Sequence, residues 1–331
     1  MDLIIFYISI IFVNLVILLN LNKIAKFINV YDKPDNSRKF HKKNTPLLGG
    51  LILLLPLTLF LIFDLSFNYF ILNDSFKVYL LFFFYLFFIF GFIDDKKGIS
   101  PNTKLIIQII LTFLFILIFK DEILSNDLKF SFLNFKIYLN NYEVLFYTIC
   151  VVIFINALNM FDGINGQSSI FLFFVLFILV LKNYNIELVL TLVITNFFIF
   201  YQNLKDRIFF GDSGIYLLAV VISYFTIDAH KSNLLFADEI VLILLLPGID
   251  MLRLFIVRII AKKNPFYPDR EHLHHLLLKN FNFKKTFFII SLLIFTPYLL
   301  GILFNSIISI LIFSLIYFVI IMQLSLNKFK N

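Results

Sequence analysis

The stretch Gly91-Phe92-Ile93-Asp94-Asp95-Lys96-Lys97 ends a run of almost pure leucine and phenylalanine with two adjacent carboxylates. The run, residues 78–93, has the composition of a membrane helix, so the two acids are predicted at its end. Adjacent carboxylates at a membrane boundary repel each other and lose solvation, which a divalent cation or a proton relieves. The pair therefore predicts a metal-assisted site if other polar clusters converge on the same face. A solvated helix end, with Lys96 and Lys97 as partners, is the alternative.

Composition places the whole chain in a membrane. The 331 residues are 61% hydrophobic and 15% charged, whereas soluble domains have about 45–50% and about 25%. Repeated apolar runs match the ~20 residues that span a bilayer as a helix. The predicted fold class is all-α, a polytopic helical membrane protein with about 10–11 transmembrane helices. The predicted spans are residues 3–22, 47–66, 76–93, 104–120, 144–160, 168–182, 186–204, 213–229, 239–260, 286–304 and 306–323.

The basic residues predict the orientation. One set of alternate loops carries 22 of the 28 Lys and Arg, and the other set carries six. With 10 and 11 acidic residues respectively, the two faces have net charges of +12 and −5. The basic face is therefore predicted to be cytoplasmic, with the N-terminus outside and the C-terminus cytoplasmic. The beginning of the chain lacks a basic n-region and a small-residue cleavage site, so we expect a retained first span.

The unusual polar residues fall at the predicted inner face. Lys104 and Gln108 share one face of a helix, although Lys104 alone is also typical of a snorkelling anchor. Asn156, Asn159 and Asp162 recur every three residues and also share a face. Asn156 lies inside a span, where a hydrogen bond between helices is the alternative to a functional role. The first inner loop is rich in Lys and Arg, which suits either a membrane anchor or phosphate binding.

Two further clusters follow along the chain. Asp212 and Ser213 open a span, where either is typical of a helix N-cap. Asp250 and Arg253 are predicted to form a structural ion pair within one helix turn. The sequence His272-Leu273-His274-His275 raises the question of zinc, but the only cysteine, Cys150, lies inside a span, and no fourth ligand is close. A role as hydrogen-bond donors to phosphate or sugar fits these histidines better than zinc binding does.

Taken in order, these clusters resemble the polyprenyl-phosphate N-acetylhexosamine-1-phosphate transferases over about residues 32–275. The His-x-His-His pattern resembles the GlcNAc-type branch. The peptidoglycan phospho-MurNAc-pentapeptide branch is expected to have three consecutive histidines and is disfavoured. The resemblance implies one transferase domain, 1–331, with its site built from cytoplasmic loops 23–46, 94–104, 161–167, 205–212 and 261–285.

The resemblance also implies roles for individual residues. Asp94 and Asp95 are expected to be catalytic, and Asp212 and Asn159 are expected to bind Mg²⁺, or Mn²⁺ in its place. Expected nucleotide- or substrate-binding residues are Asp162, Asn165, Phe209, Lys104, Arg270, His272, His274, His275, Lys43 and Thr45. Asn165 stands where bacterial relatives often have Asp, and Ile215 stands where Ser is usual. The second departure leaves the choice of sugar nucleotide open.

The expected reaction is transfer of N-acetylglucosamine 1-phosphate from UDP-GlcNAc to undecaprenyl phosphate, giving undecaprenyl-diphosphate-GlcNAc and UMP. It would be the first membrane step of a cell-surface polysaccharide such as lipopolysaccharide O-antigen or teichoic acid, at the bacterial cytoplasmic membrane. The alternative donors are other UDP-N-acetylamino sugars, of the N-acetylfucosamine or N-acetylquinovosamine type. A homodimer and a two-step route through an aspartyl-phosphate stay open, and no nucleic acid partner is expected.

Other classes of protein fit the sequence less well. A membrane transporter needs polar groups along a path to both faces, often with internal repeats. Here the clusters crowd one face, and no repeat is visible. A non-catalytic scaffold is disfavoured because Asp94, Asp95 and Asp212 are all present.

Overall fold

The computed structural model describes residues 2–32, 44–67, 74–132, 135–265 and 270–326. Within these ranges the chain forms helices connected by short loops and two small antiparallel hairpins. The helices are α1 (Asp2–Leu19), α2 (Leu21–Ile28), α3 (Gly49–Phe67), α4 (Asp74–Lys97), α5 (Pro101–Ile118), α6 (Lys120–Ile123), α7 (Glu143–Phe161), α8 (Gln167–Leu181), α9 (Ile186–Asn203), α10 (Gly211–Lys231), α11 (Ala237–Ile260), α12 (Leu273–Asn280), α13 (Phe283–Leu303) and α14 (Ser306–Leu326). The hairpins pair β1 (Tyr31–Asp32) with β2 (Thr45–Pro46) and β3 (Asp127–Lys129) with β4 (Lys136–Tyr138).

The helices confirm a polytopic helical membrane protein. In the described ranges, nine helices are long and apolar enough to cross a membrane, and the bent pair α1–α2 brings the number to ten. Each of the eleven predicted spans coincides with a helix. Helix α8 has 15 residues, as many as the predicted span 168–182, which is fewer than the ~20 that cross a bilayer. The first predicted span is shorter than expected, because α2 leaves α1 at an angle of 68°.

Helix α10 lies at the centre of the bundle, where α3, α4 and α7 pack around it. In its apolar window 94% of the residues are buried, compared with 22% in α5 and α14. A helix that is surrounded on all sides is expected to be apolar almost all round, and between Ile215 and Ile227 α10 has only Ser223, Thr226 and two Tyr among its apolar residues. The peripheral helices expose rows of Ile, Leu and Phe, as expected for surfaces that face lipid.

Glycines let α3 and α4 approach the first turn of α10 at backbone distance. A Cβ atom on Gly50 would lie 2.7 Å from the nitrogen of Gly214. A Cβ atom on Gly91 would overlap the backbone of Ser213. Only glycine permits contacts this close. The result is a tightly fixed helix start at one end of the bundle.

The opposite end of the bundle also contains buried polar groups. Lys77 Nζ lies 2.8 Å from Asp64 Oδ2, and both side chains are fully buried. In the connection between α5 and α7, the N–H of Ser131 donates to Asp238 Oδ1 at 2.8 Å. The Ser306 hydroxyl donates to the other oxygen of Asp238. These contacts tie loops and helices together at that end.

Candidate active site

The first turn of α10 is held in place by segments that are distant in sequence. The N–H of Phe209 donates to the Pro46 carbonyl at 2.9 Å, and the Phe209 carbonyl accepts the N–H of Gly49 at 3.0 Å. Gly211 then adopts a φ of +69°, in the left-handed region that favours glycine. This turn directs the chain into α10 and places Asp212 at the end of the bundle.

Asp95 binds the beginning of α10. Its Oδ1 accepts the N–H of Asp212 at 2.7 Å, and its Oδ2 accepts the N–H of Ser213 at 3.0 Å. The first N–H groups of a helix have no partner within the helix, so a carboxylate from elsewhere stabilises them. Asp95 therefore joins the end of α4 to the start of α10.

Asp94, the adjacent acid, points away from α10's first N–H groups and into the protein. Its Oδ2 accepts the hydroxyl of Tyr216 at 2.9 Å and lies 2.6 Å from Lys104 Nζ. Its Oδ1 accepts the N–H of Ile99 at 2.8 Å. Asp94 is 3% exposed, so this carboxylate is almost completely removed from solvent. It binds Lys104 and closes the connection between α4 and α5.

Lys104 and Asn159 flank the carboxylate of Asp212. Lys104 Nζ lies 3.5 Å from Asp212 Oδ2, and the Asn159 amide donates to Asp212 Oδ1 at 2.6 Å. A half-turn of the Asn159 amide would present its oxygen at the same place, because the two ends of an amide have nearly the same shape. One carboxylate is thus shared by an ammonium group and an amide.

A cavity of about 1160 Å³ opens beside these residues. Its walls come from β1, β2, α4, α7, α9, α10, α12, α13 and the turns between them. It is lined by Asp32, Thr45, Leu47, Asp95, Asn159, Asp162, Gly163, Ile164, Asn165, Asn203, Leu204, Lys205, Asp206, Arg207, Phe209, Gly211, Asp212, Ile215, His275, Leu278 and Phe283. The wall combines carboxylates with Lys and Arg, so it suits an anion that arrives together with a cation.

Asp162 follows α7 and contributes a further carboxylate to this cavity. The Ser168 hydroxyl donates to Asp162 Oδ1 at 2.5 Å. Burial raises the pKa of Asp162 to about 6; the Ser168 hydrogen bond opposes this shift, and the charge of Asp212 adds to it. The Asp162 carboxylate is therefore mostly ionised at pH 7, at an energetic cost to the folded protein.

The turn after Asp162 is fixed by residues at the end of α9. Asn203 Oδ1 accepts the N–H of Gly166 at 2.5 Å, and Asn203 Nδ2 donates to the Ile208 carbonyl at 2.9 Å. The Asn165 amide donates to Asp206 Oδ1 at 2.6 Å at the cavity rim. These bonds connect the start of α8 to the segment that leads into α10.

The three histidines do not share one environment. His275 lines the cavity, whereas His272 and His274 are buried, with 6% and 2% exposure. His272 Nδ1 lies 2.9 Å from Asp250 Oδ2. Burial lowers the pKa of His274 well below its usual range, and protonation of His275 or His272 would lower it further, so His274 is neutral.

The structure brings most of the predicted site residues together, but not all of them. Those that line the cavity are Thr45, Asp95, Asn159, Asp162, Asn165, Phe209, Asp212 and His275. Those that do not line it are Asp94, Lys104, Arg270, His272 and His274. Lys43 lies outside the described residues. The roles given to these residues stay predictions.

Arg270 instead lines a smaller hollow of about 100 Å³, together with His275, Leu278 and Lys279. His275 belongs to both spaces, so the two are neighbours. Arg270 therefore lies close to the main cavity without lining it.

Sequence reasoning missed several residues of the wall. Asn203, Lys205, Asp206 and Arg207 form a dense polar run directly after a predicted span, and that run was an available signal. Asp32 was not named as a site residue, although it lies in loop 23–46, which the resemblance implied for the site. It reaches the cavity because β1 pairs with β2, where Asp32 is opposite Thr45.

The donor set suits a divalent metal ion such as Mg²⁺. In the described part of the chain, no three His, Cys, Asp or Glu side chains surround one point at ligand distances. Mg²⁺ commonly binds through one or two carboxylates together with substrate phosphates. Asp212 and the amide oxygen of Asn159 supply hard oxygen donors of this kind, with the Asp95 and Asp162 carboxylates on the same wall. The residues present therefore fit such an ion, once a phosphorylated substrate completes its coordination.

Comparison with known families defines the class of the protein. Residues 77–230, from α4 to the end of α10, match glycosyl transferase family 4. The chain is thus a multi-pass membrane protein with a domain similar to glycosyl transferase family 4. This domain contains Asp95, Asn159, Asp162 and Asp212, and the resemblance that the motifs indicated is confirmed.

Individual relatives are similar over most of the chain. The undecaprenyl-phosphate alpha-N-acetylglucosaminyl 1-phosphate transferase of Thermotoga maritima is 29% identical over 272 residues, covering 82% of this chain and 80% of the relative. The protein of the same name from Escherichia coli K12 is 28% identical over 287 residues, covering 82% and 75%. The phospho-N-acetylmuramoyl-pentapeptide-transferase of Nautilia profundicola is 30% identical over 238 residues, covering 61% and 64%.

Proposed function

We propose that this protein is a phospho-N-acetylhexosamine transferase that moves N-acetylglucosamine 1-phosphate from UDP-GlcNAc to undecaprenyl phosphate. The observation that carries the proposal is the cavity where Asp95, Asn159, Asp162 and Asp212 meet at one end of a membrane helix bundle. A lipid phosphate and a nucleotide diphosphate are both anions, so a site that joins them needs cations and carboxylates in one place. The names of the similar proteins support the same acceptor and sugar.

In the reaction, an oxygen of the lipid phosphate attacks the β-phosphorus of the nucleotide sugar. The bond between this phosphorus and the bridging oxygen breaks, and the electron pair leaves with UMP. Asp95, whose carboxylate faces the cavity, holds the lipid phosphate and accepts its remaining proton. The second pKa of a phosphate is about 6, so positioning matters more than proton removal at pH 7. This route is a single displacement at phosphorus.

Asp212 and Asn159 would hold Mg²⁺. When bound, the ion supplies positive charge to the diphosphate oxygens. Lys104 adds positive charge beside Asp212, and His275 faces the cavity with a ring that suits hydrogen bonding to phosphate. Arg270, which shares the neighbouring hollow with His275, would join them when substrate is bound.

Phe209 and Asn165 would bind the nucleotide. Both line the cavity, Phe209 with a ring that suits stacking on uracil and Asn165 with an amide that suits hydrogen bonding. Thr45 lines the wall near them, and the predicted role of Lys43 is phosphate binding. Ile215 is 1% exposed and borders the cavity, so it restricts the sugar that fits there.

We place the protein in the bacterial cytoplasmic membrane, with the N-terminus outside and the cavity facing the cytoplasm. The excess of Lys and Arg in the loops at the cavity end supports this orientation. A UDP-sugar is a cytosolic substrate and the acceptor is a lipid, so the site belongs at this interface. The product would begin a cell-surface polysaccharide such as O-antigen or teichoic acid.

The test uses purified protein, labelled UDP-GlcNAc and undecaprenyl phosphate, with Mg²⁺ or with a chelator. We expect labelled lipid and UMP with Mg²⁺, and neither in Asp212→Asn. Asp238→Asn removes a buried acid at the opposite end and serves as the matched control. Product from UDP-N-acetylfucosamine or UDP-N-acetylquinovosamine alone would keep the proposed reaction and change the donor sugar. UDP-MurNAc-pentapeptide as the sole donor would assign the protein to the function named for the Nautilia relative. Folded protein inactive with every donor would overturn the proposal.

A further inference from the structure

A buried polar cluster lies between α11, α12 and α14, next to residues 272–275, which we call the histidine segment. Asp250 is its centre and is 3% exposed. Asp250 Oδ1 accepts the Tyr317 hydroxyl at 2.6 Å, Arg253 Nη2 at 3.0 Å and the N–H of Leu273 at 3.2 Å. Asp250 Oδ2 lies 2.9 Å from His272 Nδ1. The carboxylate thus has donors on both oxygens, from three different elements.

This geometry extends the ion pair that the sequence predicted. Asp250 and Arg253 do pair, but Arg253 Nη2 also donates to the Glu271 carbonyl at 2.6 Å, directly before His272. Since the Asp250 carboxylate accepts from Nδ1, the His272 ring carries its proton on that nitrogen and is held in one orientation. The Asp250–Arg253 pair therefore holds the histidine segment in place.

The fixed ring is the first of a series of contacts that reaches the acidic turn. His272 stacks on His274 with ring centroids 5.4 Å apart and planes 8° apart. The His274 ring covers Gly163 so closely that a Cβ atom there would overlap it. The His274 and His275 rings are 4.2 Å apart. Gly163 directly follows Asp162, so the His274 ring fixes the position of the turn that carries Asp162. His275 faces the cavity.

We propose that Asp250 is a positioning residue for the transfer reaction: by holding His272, it sets the rings of His274 and His275 and the turn that carries Asp162. The proposal rests on the proposed function. In this arrangement only His275, among the three histidines, meets the substrate. His272 and His274 transmit the position of α11 and α14 to the cavity wall.

Helix α11 carries a second buried acid that allows a purely structural role to be compared with that of Asp250. Asp238, near the start of α11, is also 3% exposed and accepts from Ser131 and from Ser306 of α14. It ties α11 to α14 as Asp250 does through Tyr317, but it touches no histidine in the described structure. Loss of either acid weakens the same helix pair, and only loss of Asp250 releases the histidine segment.

The experiment compares Asp250→Asn with Asp238→Asn in the transfer assay and by hydrogen–deuterium exchange. We expect Asp250→Asn to lower kcat/KM at least about tenfold, as loss of a residue that orients a ligand commonly does. Exchange in residues 159–168 should rise in this variant. Asp238→Asn should keep kcat/KM within about twofold and leave exchange there unchanged. Equal effects of the two variants would overturn the proposal.

A double-mutant cycle separates action through His272 from a direct effect of Asp250. If Asp250 acts through the ring, Asp250→Asn in a His272→Ala background should cost less than about twofold more. If the fold losses in kcat/KM of the two single variants multiply in the double variant, the proposal is contradicted. Should Asp250→Asn fail to fold, Tyr317→Phe, which removes one donor and keeps the carboxylate, should raise exchange in 159–168 moderately. Unchanged exchange there would overturn the proposal. Exchange needs no activity, so the proposal survives or fails separately from the proposed function.

Discussion

Asp95 Oδ1 accepts the backbone N–H of Asp212 at 2.7 Å, so the proposed proton acceptor also fixes the helix that carries the proposed metal ligand. Position and chemistry are thus joined in one carboxylate. In Asp95→Asn the amide oxygen still accepts one of the two N–H groups that Asp95 holds, whereas the amide nitrogen is a donor and cannot accept the other, so only one hydrogen bond is lost. Asp95→Asn should therefore keep the melting temperature within a few degrees while lowering kcat at least about 100-fold. Thermal unfolding in detergent and the transfer assay check both parts.

The neighbouring acid should behave in the opposite way. Asp94→Asn removes the charge that Lys104 and the Tyr216 hydroxyl approach, in a buried place. Breaking a buried pair in this way costs about 3–5 kcal/mol. We expect a clear drop in melting temperature, larger than that of Asp95→Asn. If Asp95→Asn were instead the less stable of the two and retained activity, the roles of the two acids would be reversed.

The backbone contact between α4 and α10 predicts a steric effect. In Gly91→Ala the new methyl group meets the backbone of Ser213 and pushes the two helices apart. Overpacking of this kind costs about 1–3 kcal/mol, so both the melting temperature and the activity should fall. Gly248→Ala is the control, because a Cβ atom there meets nothing within 4 Å. In a helix interior that change should be neutral or stabilising.

The pKa of Asp162, raised to about 6, predicts a pH-dependent difference in stability. A raised pKa means that the folded protein binds this proton more tightly than the unfolded chain does, so this group's contribution to stability falls as the pH rises from its ordinary pKa of 3.8 to about 6 and is fully lost above that. Asn resembles the protonated acid and still accepts from Ser168. Asp162→Asn should therefore have a higher melting temperature than the natural protein at pH 7, and this difference should shrink at pH 5. A difference that does not change with pH would contradict the assignment.

Metal removal should show in binding as well as in activity. In the presence of UMP, Mg²⁺ should raise the melting temperature of the natural protein, because a ligand that binds only the folded state stabilises it. Asp212→Asn should show no such rise. Asp228→Asn, an acid of the same helix at its far end, should respond like the natural protein. An equal rise in Asp212→Asn would place the ion elsewhere.

The short helix α2 predicts contact with the membrane surface. It leaves α1 at 68°, exposes Lys23 and Lys26, and leaves Phe27 92% exposed. A basic amphipathic helix of this kind lies in the interface, with its aromatic residue among the lipids. The chain contains no Trp, so Phe27→Trp gives a single fluorescent reporter. Its emission should be blue-shifted and quenched by brominated lipids in nanodiscs. Emission typical of water would place α2 away from the bilayer.

Much of the architecture could be predicted from local sequence. Every predicted span is a helix, because apolar runs of sufficient length have few other stable forms in a bilayer. The place where prediction and structure differ is equally local. The α1–α2 bend follows a span that ends at a polar residue, Asn20. This difference reflects where a helix ends.

The motifs identified the family and most of the cavity wall, but they did not reveal which way each side chain points. Successive helix residues project about 100° apart, so Asp95 meets α10 and the cavity while Asp94 meets Lys104 inside the protein. Likewise, the three histidines of the segment look equivalent in the sequence, yet only His275 among them lines the cavity.

The sequence by itself determined a helical membrane protein and the set of polar residues at one end of it. Those properties depend on apolar length and on residue type, which are local. Only the tertiary structure decided which carboxylate faces the cavity, that Asp250 holds His272, and that Asp32 and Asn203 belong to the wall. These depend on contacts between segments far apart in the chain, such as Thr45 with the Asp206 carbonyl, 161 residues away. Such contacts are set by the packing of distant helices, which the periodicity of a single helix does not determine.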